Sequence, residues 1–123
     1  METTPISSQL EQYLLKVSAD VGRSPLYAHA IIEIPTYKHW LFEVLSNLNV
    51  EAGFIVDYGY RRAQLYSKER TKGTLSCYFK NTLSHDPLVN VGLMDITTHV
   101  DFSEVMENLP KNMYSALWPQ AEF

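Results

Sequence analysis

The residues best able to do chemistry are four carboxylates and one imidazole, in three short runs. The first run is Gly53-Phe54-Ile55-Val56-Asp57-Tyr58-Gly59, in which Asp57 and Tyr58 follow an unbroken apolar stretch. The second is Glu33, the one charged residue of an isoleucine-rich segment that Pro35 stops. The third, Asp95-Ile96-Thr97-Thr98-His99-Val100-Asp101-Phe102, alternates polar and apolar side chains. If extended, it places Asp95, Thr97, His99 and Asp101 on one face, where carboxylates and an imidazole could move protons or position a substrate. His99 and Asp101 could also ligate a metal, but two ligands two positions apart supply too few donors, so no metal site is expected. Each run has a structural reading too. Asp57 can cap a turn, and Asp101 stands at capping-box spacing from Glu104, ahead of a helix from Phe102.

These residues need elements to position them. Phe54 to Val56 reads as a strand buried on both faces of a parallel sheet, with Asp57 where it leaves the core and Gly59 in the turn beyond. Ligands of open α/β sheets bind outside the carboxyl ends of the strands, which makes Asp57 and Tyr58 candidates for a pocket rim. Upstream, residues 1–7 read as a leader, and Ser8 with Glu11 has capping-box spacing. Leu10, Tyr13, Leu14 and Val17 then form one helical stripe, ending near Gly22. Ala28 to Ile34 reads as a strand. Thr36 should cap a second helix, with Trp40, Leu41, Val44, Leu45 and Leu48 buried and Trp40 as its anchor. Thr74 to Phe79 alternates as a half-buried strand with Cys77 as a core packer, and residues 80–94 read as loop. His29, His39 and His85 show no partners in the sequence.

With 123 residues, 46% hydrophobic and 20% charged, the chain makes one globular α/β domain, 1–123. One cysteine excludes an internal disulfide and a cysteine-built zinc site. The net charge of −4 points to neither nucleic acid nor an anionic membrane, and no apolar run reaches the length of a membrane span. The first twenty residues hold Glu2, Glu11 and Asp20 against Lys16 alone, unlike a signal or transit peptide, so a bacterial cytoplasmic location is expected over a mitochondrial one. Charge is uneven, however. Tyr60 to Lys80 carries +5 and the remainder −9. That basic segment is either a solvated loop or a guide for an acidic partner.

From about residue 33 to 105 the chain resembles the MidA-like family of class I S-adenosylmethionine-dependent methyltransferases, which includes a mitochondrial complex I assembly factor. The resemblance rests on Glu33-Ile34, Trp40-Leu41, Val56 to Tyr60, Tyr66, Arg70, Gly73-Thr74-Leu75, Cys77-Tyr78, Asp86-Pro87, Gly92, Asp95-Ile96-Thr97 and His99 to Ser103, in order. Asn81 departs from it, standing where the family usually has histidine, and the likeness fades after Glu107. It implies a partial Rossmann-like fold, the carboxy-terminal portion of a methyltransferase domain. The amino-terminal cofactor-binding half is not found, since the five glycines lie far apart and no Gly-x-Gly occurs. The parent chemistry it implies is methyl transfer from S-adenosylmethionine to a protein arginine. Asp57 with Tyr58 would be first at the pocket rim, Glu33 second, and Asp95, His99 and Asp101 further candidates. This chain alone is expected to bind no cofactor and to need the amino-terminal half or to self-associate. The alternative is a non-catalytic remnant or interaction module on the same scaffold.

Overall fold

The computed structural model describes residues 6–22, 31–48 and 52–110. Helix α1 (Ser8–Val21) begins one residue earlier than the capping-box spacing suggests: Ser7 is the N-cap, its Oγ accepting from the Leu10 amide at 3.3 Å. Gly22 closes it in the left-handed conformation. The expected stripe does face inward, with Tyr13 and Val17 buried. Helix α2 (Tyr37–Asn47) forms as expected but buries none of its residues, and Trp40 is 65% exposed. Trp40 is therefore not the anchor of this core. Thr36 has helical backbone angles and makes no side-chain cap bond.

The expected buried strand is the largest correction. Residues 52–57 belong to no strand of the described sheets, and Phe54 is 96% exposed. A strand apolar on both faces is buried only between two neighbours and two layers, which the described residues do not supply. Pairing starts later, at β1 (Gly59–Tyr60), parallel to β5 (Val100–Asp101) with Gly59 opposite Val100 and Tyr60 opposite Asp101. Gly59 is a site of close approach and not of a left-handed turn, because a Cβ there would meet the Val100 carbonyl and the Phe102 ring. Residues 31–35 form no strand, and Ala28 to Ala30 lie outside the described residues.

A short helix α3 (Arg62–Leu65) and a 3-10 turn (Lys68–Arg70) follow β1. The chain then enters a three-stranded antiparallel sheet of order β3-β2-β4, built from β2 (Ser76–Phe79), β3 (Thr82–Ser84) and β4 (Asp95–Thr97). Cys77 is fully buried, as its alternation predicts. The segment read as loop from residue 80 thus contains a strand. Its hairpin turns on Lys80 and Asn81, with φ of 47° and 64°. Two consecutive positive φ values match a two-residue hairpin turn, and asparagine tolerates that region better than most side chains. Helix α4 (Phe102–Glu107) closes the unit, capped as predicted by Asp101, whose Oδ1 accepts from the Ser103 and Glu104 amides at 2.9 and 3.2 Å. No helix among the described residues is long and apolar enough to cross a membrane.

The apolar core is small: Tyr13, Val17, Leu65 and Tyr66, flanked by Val21, Ile32 and Tyr60. Beside it lies a polar hub that charge counting placed in solvent. Arg62 is only 1% exposed. Its Nε donates to Asp101 at 2.9 Å, one terminal nitrogen to Glu104 at 2.8 Å, and the other to Asp20 and Glu107 at 2.9 and 2.7 Å. Lys16 joins Glu104 and Glu107, and Lys38 joins Glu104. Tyr13 donates to Asp101 at 2.9 Å, and Tyr37 to the Asp101 carbonyl. All four helices are tied to the β1–β5 pair at this point. The planar fork of a guanidinium suits such a hub because each edge can face a different carboxylate.

Burial alone would depress the Arg62 guanidinium, but hydrogen bonds and charge from Glu107 and Asp101 raise it above its ordinary value. Burial likewise pushes the Glu104 and Glu107 carboxyls up, yet Lys16 and Lys38 on the first, and Arg62 and Lys16 on the second, hold both below the usual range. Burial raises the Tyr66 phenol to about 12; hydrogen bonds with Tyr13 and the Glu33 carbonyl oppose this, and the charges of Asp101 and Glu33 add to it.

Arg62→Met should therefore lower unfolding stability by about 3–5 kcal/mol, because Asp101 would stay buried without its cation and Glu104 would keep only its two lysines. Urea titration checks this, and a loss below about 1 kcal/mol would make the hub ornamental. The pH dependence follows from the shifts. Lowered carboxyls contribute stability above the unfolded value of about 4.3, lost as pH falls through their folded values. Raised phenols contribute stability below the unfolded value of about 10, lost as pH climbs toward the folded ones. Wild-type midpoints should fall at both ends.

Candidate functional site

Glu33 is the first of the sequence candidates to be placed, and its carboxylate is fully engaged. Oε1 accepts from the Thr74 and Leu75 amides at 2.8 and 2.9 Å, and Oε2 from the Thr74 hydroxyl at 2.7 Å. A strand-like segment is thus riveted to the turn ahead of β2. Gly73 makes that approach possible: its φ is +74°, and a Cβ would stand 2.9 Å from Glu33 Oε1. The Tyr66 hydroxyl donates to the Glu33 carbonyl at 2.7 Å, fixing the same residue from the core side.

The Gly73–Leu75 turn forms one wall of an open cleft of about 190 Å³, completed by Arg70, Ser76, His85 and His99. Its side chains are held from behind. Arg70 lies over the Tyr60 ring at 4.2 Å and donates to the Gln64 carbonyl at 3.0 Å. The Tyr60 ring is also 5.3 Å from that of His99, tilted by 52°. The His99 amide donates to the Thr74 hydroxyl at 2.8 Å, while its ring Nδ1 is buried with no partner. His85 Nδ1 is 2.9 Å from the Leu75 carbonyl. A carbonyl only accepts, so Nδ1 is the donor of that bond.

The remaining candidates do not converge on one site. Asp101 accepts from Arg62, Tyr13 and two amides, so all its capacity serves the hub. The run from Asp95 to Asp101 is divided between two sheets, with Asp95 exposed on β4 and His99 against Tyr60. Asp57 is exposed before β1, one oxygen accepting its neighbour Tyr58's amide at 2.7 Å, and Tyr58 is exposed beside it. Among the described residues no group of three or more metal-ligating side chains occurs. Sequence reasoning missed Arg70 and His85 as site residues. Their partners, Tyr60 and the Leu75 carbonyl, lie about ten residues away, and no periodicity marks either pairing.

The chain matches, over residues 1–119, a family described as "Putative S-adenosyl-L-methionine-dependent methyltransferase", and it belongs to that family. Among solved structures it is similar to a superfamily member and "likely methyl transferase" from Burkholderia thailandensis, crystallised with S-adenosyl-homocysteine bound. The identity is 36% and the TM-score 0.56, over 59% of this chain and 19% of that one. The chain thus corresponds to about a fifth of that protein's length. None of the curated proteins matches.

This cleft does not fit S-adenosylmethionine as a whole. The cleft, at about 190 Å³, is smaller than the roughly 300–1,000 Å³ of sites that enclose such ligands. Its wall offers guanidinium and imidazole groups, where a ribose diol is held by a carboxylate. The engagement of Glu33 has a measurable consequence. Glu33→Ala should destabilise the fold by about 2 kcal/mol, since two amides lose a charged acceptor. Thermal unfolding tests this, and unchanged stability would free the carboxylate for a ligand.

Proposed function

We propose that this chain is the carboxy-terminal portion of a methyltransferase domain that acts on a protein arginine, and that it works only with an amino-terminal portion that cradles the cofactor. Family membership supports methyl transfer from S-adenosylmethionine. The observation that carries the acceptor reading is the commitment of carboxylates. Glu33 and Asp101 are consumed by structure, while Asp57 keeps one oxygen without a protein hydrogen bond in the described structure and stands exposed with Tyr58. A guanidinium acceptor is oriented by a carboxylate that also stabilises its charge. Asp57 and Tyr58 then form the pocket rim, and Asp95, exposed on β4, is a further free carboxylate. The exposed apolar side chains of Phe54, Ile55 and Val56 are the surface that the amino-terminal portion would cover, which also accounts for an expected tendency of the lone chain to self-associate.

The test is methyl transfer in the assembled enzyme, with a radiolabelled methyl donor and an arginine-containing peptide. Asp57→Asn should lower the rate by about 10²-fold or more with unfolding stability unchanged, because the side chain is exposed and bonds only its neighbour's amide. Wild-type rates from a folded Asp57→Asn enzyme would return Asp57 to turn capping. Absence of transfer by the assembled wild type would favour the alternative of a non-catalytic interaction module.

A further inference from the structure

Positive charge is committed unevenly among the described residues. Lys16, Lys38 and Arg62 belong to the hub. Arg70 rests its guanidinium on the Tyr60 ring and donates to the Gln64 carbonyl, and the Lys80 ammonium is 5.1 Å from the centre of the Phe79 ring. That leaves Arg61, Lys68 and Lys72, all exposed and none bonded through its side chain to a described residue. All three fall in the one stretch that follows β1. Glu69 is the single acid of that stretch, and it is already engaged.

The fold gathers these cations beside Asp57 and Tyr58. Arg61 is four residues beyond Asp57, so their Cα atoms are at most about 14 Å apart. From Arg61 the backbone proceeds by tight turns, in which the amides of Gln64, Ser67, Arg70 and Gly73 each donate to the carbonyl three residues back. Turns of that kind advance only about 2 Å per residue. Arg70 then draws the Lys68–Arg70 turn back onto β1, since its guanidinium is 4.2 Å from the centre of the ring of Tyr60, the neighbour of Arg61. The Thr71 carbonyl accepts from the Ile31 amide at 2.9 Å, which fixes the chain just before Lys72. A carboxylate rim is thus bordered by three uncommitted cations, on a chain whose net charge is −4.

Such a border matters to an acceptor that is itself a cation. A guanidinium is drawn to Asp57, while further positive charge on the same peptide is repelled by Arg61, Lys68 and Lys72. Negative charge on the peptide is attracted to them, and an extended peptide covers about 14 Å in about four residues. A nucleic acid suits the surface less well, because its unbroken negative charge would also meet Asp57 and the acidic remainder of the chain. We propose that Arg61, Lys68 and Lys72 are specificity-determining residues, selecting an acceptor arginine that has acidic residues about four positions away. This selection rests on the methyltransferase reading above and names its substrate class, an arginine within an acidic protein segment.

The test gives the assembled enzyme a pair of peptides of equal length. Each holds one arginine, with either glutamates or glutamines about three to six positions from it on both sides. At about 20 mM salt, kcat/KM should be about tenfold higher for the glutamate peptide, through a lower KM, and the advantage should shrink at about 300 mM. Combining Arg61→Gln, Lys68→Gln and Lys72→Gln should bring the ratio close to one with the unfolding midpoint in place, because all three side chains are exposed. Where the enzyme turns over, that ratio decides: equal kcat/KM for the two peptides, or a preference that survives the triple substitution, overturns the selection and leaves methyl transfer standing. Where no methyl group is transferred, fluorescence anisotropy of the labelled peptides on the whole chain decides, with a thymidine oligonucleotide as a second polyanion. Tighter binding of the glutamate peptide, lost in the triple variant, supports the surface while the methyltransferase reading falls. Equal affinity for the two peptides, or tighter binding of the oligonucleotide, overturns it.

Discussion

A buried guanidinium shared among four carboxylates is the constraint on which the rest of the described structure depends. Arg62 draws Asp20 from α1, Asp101 from β5, and Glu104 and Glu107 from α4 to one point. Lys16 and Lys38 offset part of the excess negative charge. The apolar core cluster beside it holds only four buried side chains, too few to fix the angles of four helices by packing alone. Directional, charge-assisted bonds set those angles instead. Such a cluster contributes less net stability than its bond count suggests, since each ion was first stripped of water. Its removal is nonetheless costly, because what remains is an unpaired buried charge.

The hub also decides which residues are left for function. Asp101 and Glu104 look chemically capable in isolation, yet every available acceptor position on Asp101 is taken, and Glu104 sits between two lysines and Arg62. Two hydroxyl protons, on Tyr13 and Tyr66, face three acceptor contacts: Asp101, the Glu33 carbonyl and each other. The phenols are thus coupled to both the hub and the Glu33 rivet. The two rings meet edge to face, with their planes at 76°. Residues with free capacity lie outside this network, at Asp57–Tyr58 and among the exposed cations beside it.

Local signals in the sequence were legible where one turn of chain decides the outcome. The α1 stripe, its Gly22 terminus, the Cys77 alternation and the Asp101 cap all depend on neighbours within about four residues. The readings that failed needed partners far away. Phe54 to Val56 has the composition of a central strand, but composition cannot supply the strands beside it. Trp40 has the spacing of a buried stripe, and whether that stripe meets a layer is a property of the whole sheet. Arg62 was counted as loop charge because a positive residue among positives looks solvated. Its acids lie about forty residues to either side, where no pattern announces them. The same holds for Glu33, whose partners Thr74 and Leu75 are forty-one and forty-two residues on.

The central claim is that this chain carries one side of a methyltransferase site while the cofactor is held elsewhere. Calorimetric titration with S-adenosylmethionine tests it most directly, first on the chain alone and then with the amino-terminal portion of a full-length relative added. No measurable heat is expected from the chain alone, and stoichiometric binding is expected once the two portions are together. Stoichiometric binding of S-adenosylmethionine by the lone chain, at a Kd of about 1–10 μM, would contradict it.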